Sequence, residues 1–274
     1  MRIAMSKSVN LPMNTVFKKA LSALIFACTV LCSATASPFK LNITGDAVTL
    51  ASSSLLTGAD YVFEKQGVFK DFVWNGESFD SSDVFAIDRA LMQPYSKTLH
   101  KVSTVSAAAC MALPGAVIFA DSDWFTIGVM YAETLLSTIA VKNFLKAVVF
   151  RPRPYMYFSD APQDKIDEGD WCCSFPSGHT AYAFAGAGFV SYVFAKCHPD
   201  SKWKIPVIAG SYSVAAATGI MRIASGNHFL TDVLTGAVIG TAAGILVPLF
   251  HTDIFGSNVT VSPAPYGFSC TIML

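Results

Sequence analysis

The chain has 274 residues, of which 53% are hydrophobic and 14% are charged, and its formal net charge is zero. Soluble domains carry about 25% charged residues, so this composition favours a membrane protein. The balanced charge gives no electrostatic reason to expect nucleic-acid binding.

The N-terminus has the pattern of an export signal. Two lysines precede an apolar stretch, residues 20–32, and an Ala-Thr-Ala cleavage site. This arrangement predicts a signal peptide over residues 1–36, with cleavage before Ser37. Two alternatives stay open, an uncleaved membrane anchor and lipid attachment at Cys28.

Residues 37–101 have mixed composition, and two amphipathic helices are predicted there, over 46–63 and 82–99. No Gly/Ser-rich linker separates this region from the rest of the chain. We therefore expect an N-terminal helical region that packs on the core.

Five apolar stretches follow residue 102. Each is long enough for a helix and too long for a typical strand. Some are at the short end of the about 17–25 residues that a spanning helix needs. They predict an all-α fold, a membrane-embedded bundle of five or six core helices over 102–250, and leave a soluble or surface-associated helical protein open. The stretches are 104–120, 124–141, 181–195, 205–221 and 229–250.

Two details refine this picture. Gly236, Gly240 and Gly244 recur at four-residue spacing, which predicts close approach of another helix. The tail, residues 251–274, alternates weakly after residue 258 and is compatible with a strand or with disorder.

The longest polar segment, residues 155–174, is rich in acidic side chains. A calcium loop needs a regular alternation of ligands, which this segment lacks. We predict a solvated loop that covers a candidate site formed by the motifs on either side of it. Cys172 and Cys173 lie near its end without zinc spacing, and a disulfide from one of them to another exported cysteine is an open alternative.

The first motif is Lys-x6-Arg-Pro, formed by Lys146, Arg153 and Pro154. Arg153 lies between two prolines, so its backbone is stiff and extended, as expected where a helix ends. Lys146 falls on the last turns of that helix. Cations at a helix C-terminus also have an ordinary structural explanation, so this motif alone does not indicate a site.

The second motif is Pro-Ser-Gly-His at the predicted start of a helix. Ser177 is a good N-cap candidate, and Gly178 lets the backbone approach an anion closely. The free N–H groups of that first turn favour phosphate. His179 lies on the same turn, where it can donate a proton to a leaving oxygen.

The third motif is Arg-x5-His-x3-Asp. Residues four apart on a helix share a face, so Asp232 is predicted to accept from one imidazole nitrogen of His228 and leave the other nitrogen free to attack. Arg222 precedes the turn at 224–227, where its guanidinium can bind two phosphate oxygens.

In this order the three motifs resemble the signature of the type 2 phosphatidic acid phosphatase superfamily. The direct match covers residues 146–232, and the helices over 104–250 fit the family's helical core. One position departs from the signature, because Met221 stands where the family usually has serine. This departure affects local packing or substrate contact rather than the catalytic set.

The resemblance implies a role for each residue. His228 is the expected nucleophile that forms a phosphohistidine, Asp232 its orienting partner, and His179 the acid that protonates the leaving group and later activates water. No cofactor and no metal are expected. The predicted phosphate-binding residues are Lys146, Arg153, Ser177, Gly178 and Arg222.

The predicted function is hydrolysis of a phosphate monoester or pyrophosphate of a membrane lipid. The expected location is the inner membrane with the site facing the periplasm, or alternatively the periplasm or the membrane surface. Three other functions stay open: a soluble periplasmic acid phosphatase, a phospholipid-binding protein without turnover, and a vanadate-dependent haloperoxidase.

Overall fold

The computed structural model describes residues 38–65, 74, 76, 79–120, 123–252, 259–264 and 267–272. The predicted signal peptide, residues 1–36, lies outside the described residues.

The described chain is a helical bundle with a small hairpin at its C-terminal end. Two of the helices, α2 and α5, are single turns, and the other six are long. The helices are α1 (Ile43–Lys65), α2 (Ala86–Arg89), α3 (Lys97–Ala120), α4 (Trp124–Val148), α5 (Gln163–Asp167), α6 (Gly178–Cys197), α7 (Lys204–Ala224) and α8 (Leu230–Phe250).

The five core helices predicted from the apolar stretches are confirmed as α3, α4, α6, α7 and α8. Helix α6 lies at the centre and packs against α3, α7 and α8, while α4 packs against α1 and α8. The short polar breaks make successive helices antiparallel, so helix ends that are distant in the sequence meet at one end of the bundle.

Close packing of α6 on α8 depends on the predicted glycine spacing. A Cβ atom at Gly236, Gly240 or Gly244 would overlap a backbone carbonyl oxygen of α6, at Ser177, Ala181 and Ala185 respectively. The expectation of a closely approaching helix is confirmed, and its partner is α6. Because α6 carries the Pro-Ser-Gly-His motif at its start and α8 follows His228, this seam sets the distance between two motifs.

Four helical segments are long and apolar enough to cross a membrane by length and composition: Lys97–Ile118, Trp124–Val148, Lys204–Ala224 and Leu230–Phe250. Large apolar side chains on these helices face outward, among them Val105, Ile220 and Val238, which are 65–70% exposed. Outward apolar faces on several neighbouring helices are what contact with lipid requires.

The helix predicted over 82–99 is wrong. A 3-10 turn (Ser81–Asp83) and α2 occupy its first half, and α3 begins only at Lys97. Pro94 explains the break, because it lacks an N–H group and disfavours helical geometry at the residue before it. Ser96 N instead donates to Ser225 O at 3.1 Å, which ties this segment to the turn before His228.

The acidic segment 155–174 is folded rather than simply solvated. It contains a 3-10 turn (Pro154–Tyr157), α5 and a second 3-10 turn (Asp170–Cys172). Tyr155 and Trp171 are buried in an apolar cluster with Phe79. Cys172 and Cys173 are free thiols, with sulfur atoms 3.7 Å apart.

The tail forms an antiparallel hairpin of β1 (Val259–Ala264) and β2 (Gly267–Ile272), with Val259 opposite Ile272. Of the two readings left open for the tail, the strand is the one found in the described residues.

Candidate active site

The three motifs meet at one end of the bundle. Arg153 follows α4, His179 opens α6, Arg222 lies in the last turn of α7, and His228 immediately precedes α8. Arg153, Arg222 and His228 are at most 5% exposed. Charged and titratable groups buried this deeply need partners, and the hydrogen bonds around them are therefore informative.

His228 is held by the backbone of Ser174. Its Nδ1 atom lies 2.7 Å from the carbonyl oxygen of Ser174, and its Nε2 atom lies 3.1 Å from Nη1 of Arg153. A carbonyl oxygen only accepts, so Nδ1 carries the proton and the lone pair of Nε2 faces Arg153. This is the tautomer that an attacking imidazole needs.

The predicted hydrogen bond between His228 and Asp232 is absent. The Asp232 carboxylate is 3.7 Å from Nδ1, farther than the carbonyl of Ser174. The prediction placed both residues on one helix, but α8 begins only at Leu230, so His228 lies on the preceding turn.

Asp232 instead holds the residues on either side of the imidazole. Its carboxylate accepts from Ser174 Oγ at 2.6 Å, from Phe229 N at 2.8 Å and from Arg151 Nη1 at 2.5 Å. Because Ser174 supplies the carbonyl that binds His228, Asp232 orients the imidazole through its neighbours rather than directly. The buried carboxylate is satisfied by three donors, as its burial demands.

Arg151 and Asp88 form a clamp that the sequence did not predict. Arg151 Nη2 donates to Asp88 at 2.7 Å, and Asp88 also accepts from Thr231 N at 2.9 Å and Thr231 Oγ1 at 2.6 Å. The Arg151 guanidinium lies over the ring of Phe229, 4.2 Å from its centroid. The clamp fastens α2 to the first turn of α8 and so fixes the turn that carries His228.

Arg153 is held rigidly while it faces His228. Its Nε and Nη2 atoms donate to Asp170, at 2.8 Å to the carbonyl and 2.5 Å to the carboxylate, and Nη1 also donates to Asn227 O at 2.9 Å. Burial raises the pKa of Asp170, but the ion pair with Arg153 more than offsets this and the pKa is lowered. Asp170 therefore stays ionised and keeps the guanidinium in place.

Arg222 reaches the same space from α7. Its Nη1 atom lies 3.1 Å from His100 Nδ1 and donates to Ser103 Oγ at 3.2 Å. Its Nε atom is buried and has no hydrogen-bond partner among the described residues. A buried guanidinium N–H without an acceptor is a donor suited to an incoming anion.

His179 lies on the first turn of α6, close enough to His228 to influence its charge. Its Nε2 atom is 3.1 Å from Thr104 Oγ1, and its ring centroid is 6.3 Å from that of His100. Burial lowers the pKa of His179 to about 3, and the positive charge of Arg222 and the neighbouring His100 add to the shift. His179 is therefore neutral at pH 7 until negative charge arrives.

Ser177 and Gly178 take the predicted places at the start of α6. Ser177 is the N-cap residue, but its hydroxyl pairs with Thr180 Oγ1 at 2.8 Å rather than with a backbone N–H. The hydroxyl is fully buried, and its hydrogen bond to Thr180 directs it toward the helix rather than toward a ligand. Gly178 has a steric role, since a Cβ there would come within 3.0 Å of the Lys142 side chain.

Lys146 completes the set of cations. Its ammonium group donates to the carbonyl oxygen of Cys173, next to the residue that orients His228. Burial lowers the pKa of His228 well below its usual value, and the positive charges of Arg153, Arg222 and Lys146 lower it further. The nucleophile candidate is thus neutral, oriented and close to three basic side chains, an arrangement suited to a phosphoryl dianion.

Sequence reasoning identified the residues that face this space but not those that hold them. His100 and Thr104 lie on the first turns of α3 and contact Arg222 and His179. Among the residues that were missed, only Arg151 could have been found from the sequence, because it lies two residues before Arg153 in the first motif. The residues missed are Asp88, His100, Thr104, Arg151, Asp170, Ser174 and Asn227.

Residues 127–255 match the family model described as the PAP2 superfamily. The matched segment, just under half of the chain, is similar to the PAP2 superfamily. The resemblance predicted from the three motifs is confirmed, and the matched segment contains every predicted site residue.

Two relatives of this chain carry the names of lipid phosphatases. A Schizosaccharomyces pombe protein named probable diacylglycerol pyrophosphate phosphatase 1 is 30% identical over 145 residues, which are 44% of this chain and 51% of the relative. Lipid A 1-phosphatase of Porphyromonas gingivalis is 42% identical over 79 residues, 29% of this chain and 16% of the relative. The chain thus spans about half, or less, of these relatives.

Two solved structures are similar in outline. A transmembrane PAP2-type phosphatidylglycerolphosphate phosphatase from Bacillus subtilis has 19% sequence identity and a TM-score of 0.36, covering 86% of this chain and 87% of that one. LpxE of Aquifex aeolicus has 19% identity and a TM-score of 0.28, covering 82% and 93%.

Proposed function

We propose that this protein is a membrane lipid phosphatase that works through a phosphohistidine at His228. The observation that carries the proposal is the orientation of His228. Its Nδ1–H donates to Ser174 O, and its Nε2 lone pair faces Arg153, with Arg222 and Lys146 nearby. An imidazole fixed in this tautomer among cations is equipped to attack a phosphoryl group.

The first half-reaction forms a bond from Nε2 of His228 to phosphorus while the ester or anhydride P–O bond breaks. The leaving oxygen takes its proton from His179. The pKa of His179, about 3 in the free site, has to rise before it can donate. A phosphate dianion beside Arg222 and His100 supplies the negative charge that raises it, so substrate binding itself loads the acid with a proton.

The second half-reaction consumes water. His179, now neutral, removes a proton from a water molecule that attacks phosphorus, the P–N bond breaks, and inorganic phosphate leaves. Arg153 and Arg222 bind the equatorial oxygens in both steps, and the ammonium group of Lys146 adds charge. The donors are fixed before substrate arrives, so little reorganisation is needed in the transition state.

We infer that the substrate is a phosphate monoester or pyrophosphate of a lipid. Two observations support this class. The relatives above are named as diacylglycerol pyrophosphate and lipid A phosphatases. The site also lies at the ends of four helices that are apolar enough to cross a membrane, where a headgroup can enter while its acyl chains stay in lipid.

We further infer that the site faces the exported side, the periplasm if the membrane is an inner membrane. The predicted signal peptide over 1–36 motivates this orientation. On the opposite side, the segment 196–204 carries Lys196, Lys202 and Lys204, as expected for a cytoplasmic loop. A cysteine placed at the exposed Asp160 should react with a membrane-impermeant maleimide in intact cells, whereas one at Asp200 should not.

The substrate test is a panel of phosphatidic acid, a lipid pyrophosphate and a soluble aryl phosphate, presented to the purified full chain in detergent. We expect the lipids to be hydrolysed at least tenfold faster. Equal rates would favour the soluble acid phosphatase instead. No hydrolysis of any ester would favour a phospholipid-binding protein.

The residue test uses His228→Ala, which should lose about 10⁴-fold in kcat because the nucleophile is gone. His198→Ala, a histidine in the loop after α6, is the matched control and should keep wild-type turnover. Size-exclusion elution and sulfate-dependent thermal stabilisation show whether the variant folds.

A further inference from the structure

Three ligand-type side chains meet far from the candidate active site. Asp46 lies in the first turn of α1, Glu133 lies on α4, and His251 directly follows α8. His251 Nε2 is 3.0 Å from Asp46 Oδ1 and 3.4 Å from Glu133 Oε2. One ligand atom from each residue lies within 4.8 Å of the others.

His251 is oriented as metal-binding histidines are. Its Nδ1 atom lies 2.8 Å from the carbonyl oxygen of Val247, which can only accept, so Nδ1 carries a proton. That hydrogen bond fixes the ring and turns Nε2 toward both carboxylates. A backbone carbonyl on the second ring nitrogen is the usual support for a metal-ligating imidazole.

Glu133 is a buried carboxylate without a hydrogen bond among the described residues. It is 1% exposed, and neither of its carboxylate oxygens accepts a hydrogen bond from any described residue. The surroundings are apolar, since Met130, Tyr131 and Val247 belong to the adjoining core cluster. A buried carboxylate costs several kcal/mol unless charge or hydrogen bonds compensate it, so a partner for Glu133 is required.

We propose that Asp46, Glu133 and His251 bind a divalent transition-metal ion of the zinc class. One imidazole nitrogen and two carboxylate oxygens are ligands that zinc accepts, whereas magnesium and calcium prefer oxygen alone. Bonds of about 2.0–2.2 Å in tetrahedral geometry put ligand atoms about 3.3 Å apart. The two distances from Nε2, 3.0 and 3.4 Å, fit that spacing.

Charge supports the same assignment. Two carboxylates and a neutral imidazole carry a charge of minus two, which a divalent cation cancels.

The bound ion would fasten the N-terminal segment to the bundle. Lys40 N donates to His251 O at 2.8 Å, and Phe39 pairs with Thr252 as an isolated bridge. Glu133 precedes Lys146 on α4 by thirteen residues, about 20 Å at the helical rise of 1.5 Å per residue. The site is thus distinct from the phosphate-binding residues, and its role is structural.

The test is direct metal binding to the full chain, purified in detergent with a tag that contains no histidine. After dialysis against a chelator, the protein is titrated with Zn²⁺, and with Co²⁺ to read the coordination geometry from its visible absorption. We expect one Zn²⁺ per chain, and the same for His198→Gln. Glu133→Gln and His251→Gln should bind at least tenfold more weakly.

Zn²⁺ should also raise the melting temperature of the wild type but not of Glu133→Gln, since only the folded state presents all three ligands. Less than a tenth of an equivalent bound by the wild type at micromolar free Zn²⁺ would overturn the proposal without any variant. Equal binding by the wild type and Glu133→Gln would overturn it too. These measurements do not depend on hydrolysis, so they test the metal site independently of the proposed function.

Discussion

The buried carboxylates at the two ends of α8 differ in how their negative charge is compensated. At its N-terminal end, Asp232 accepts hydrogen bonds from a hydroxyl, a backbone amide and an arginine. Beyond its C-terminal end, His251 meets Glu133, whose oxygens accept no hydrogen bond from the described residues. Asp232 is thus fully paired within the protein, whereas Glu133 needs a cation from outside.

The two arrangements serve different purposes: one holds side chains in position, and the other offers a ligand for a cation. A network whose acceptors are all satisfied is rigid, and around His228 that rigidity fixes the positions of the imidazole and the arginines, as the proposed reaction requires. A cluster with an unsatisfied carboxylate is instead a site for a ligand. Substitutions at the first end should therefore reduce turnover, and those along the seam or at the second end should change stability or metal binding.

Apart from loss of the nucleophile itself, the largest effect is expected for Asp232→Ala. It removes the acceptor shared by Ser174, Phe229 and Arg151 and leaves the Arg151 cation without one of its two carboxylate partners. We expect kcat to fall about 10³-fold and stability by about 3–5 kcal/mol, the cost of breaking a buried pair. Asp200→Asn, an exposed carboxylate in the opposite loop, is the control. Unchanged kcat in Asp232→Ala would show that Ser174 orients His228 without help.

Arg153→Lys should lose about 10²-fold to 10³-fold in kcat, as removal of one fixed transition-state donor does elsewhere. A lysine cannot donate at once to Asp170, Asn227 and the substrate. Steady-state kinetics on the best lipid substrate measure the loss, with the exposed Arg89→Lys on α2 as control. A loss of less than threefold would mean that charge alone, without the planar fork, is sufficient.

Gly240→Ala tests the seam that joins the two ends. A Cβ there would overlap the Ala181 carbonyl, whereas Gly210 on α7 has no atom within 4 Å of its Cβ position. We expect Gly240→Ala to lose about 1–3 kcal/mol of stability and Gly210→Ala to be neutral or slightly stabilised. Thermal unfolding in the same detergent compares the two. Equal melting temperatures would contradict the close packing of α6 on α8.

The smallest effect is the pH dependence of anion binding. Sulfate keeps a constant double charge between pH 5 and 8, so any change in its inhibition reports on the protein. The pKa of His179 is about 3 in the free site, and a bound dianion raises it, so binding takes up a proton. Affinity should therefore increase as pH falls, by at most about tenfold per pH unit. The His179→Gln variant should show a shallower slope, and an identical slope would exclude His179 as the proton acceptor.

The sequence pointed to the candidate site residues, because each lies in a short motif with a defined spacing. It also predicted the core helices, since long apolar stretches have few alternatives. It could not predict Asp88 or His100, whose partners are more than a hundred residues away or on another helix. The wrong partner for His228 arose because His228 and Asp232 were expected on one helix, whereas α8 begins two residues after His228, at Leu230.

The cluster proposed to bind a metal ion was also missed, because its members are distant in the sequence. Asp46, Glu133 and His251 are separated by long intervals and belong to three different helix segments, so no spacing rule connects them. Only the packing of α1 and α4 beside the C-terminal end of α8 brings them together.

The central claim is that His228 carries the phosphoryl group. Rapid acid-free quenching of the purified enzyme with a ³²P-labelled lipid phosphate, followed by peptide mapping, tests it most directly. We predict an acid-labile, alkali-stable label on the peptide that contains His228, formed within the first turnover and absent from His228→Ala. Full turnover with no label on that peptide at any time would contradict the account.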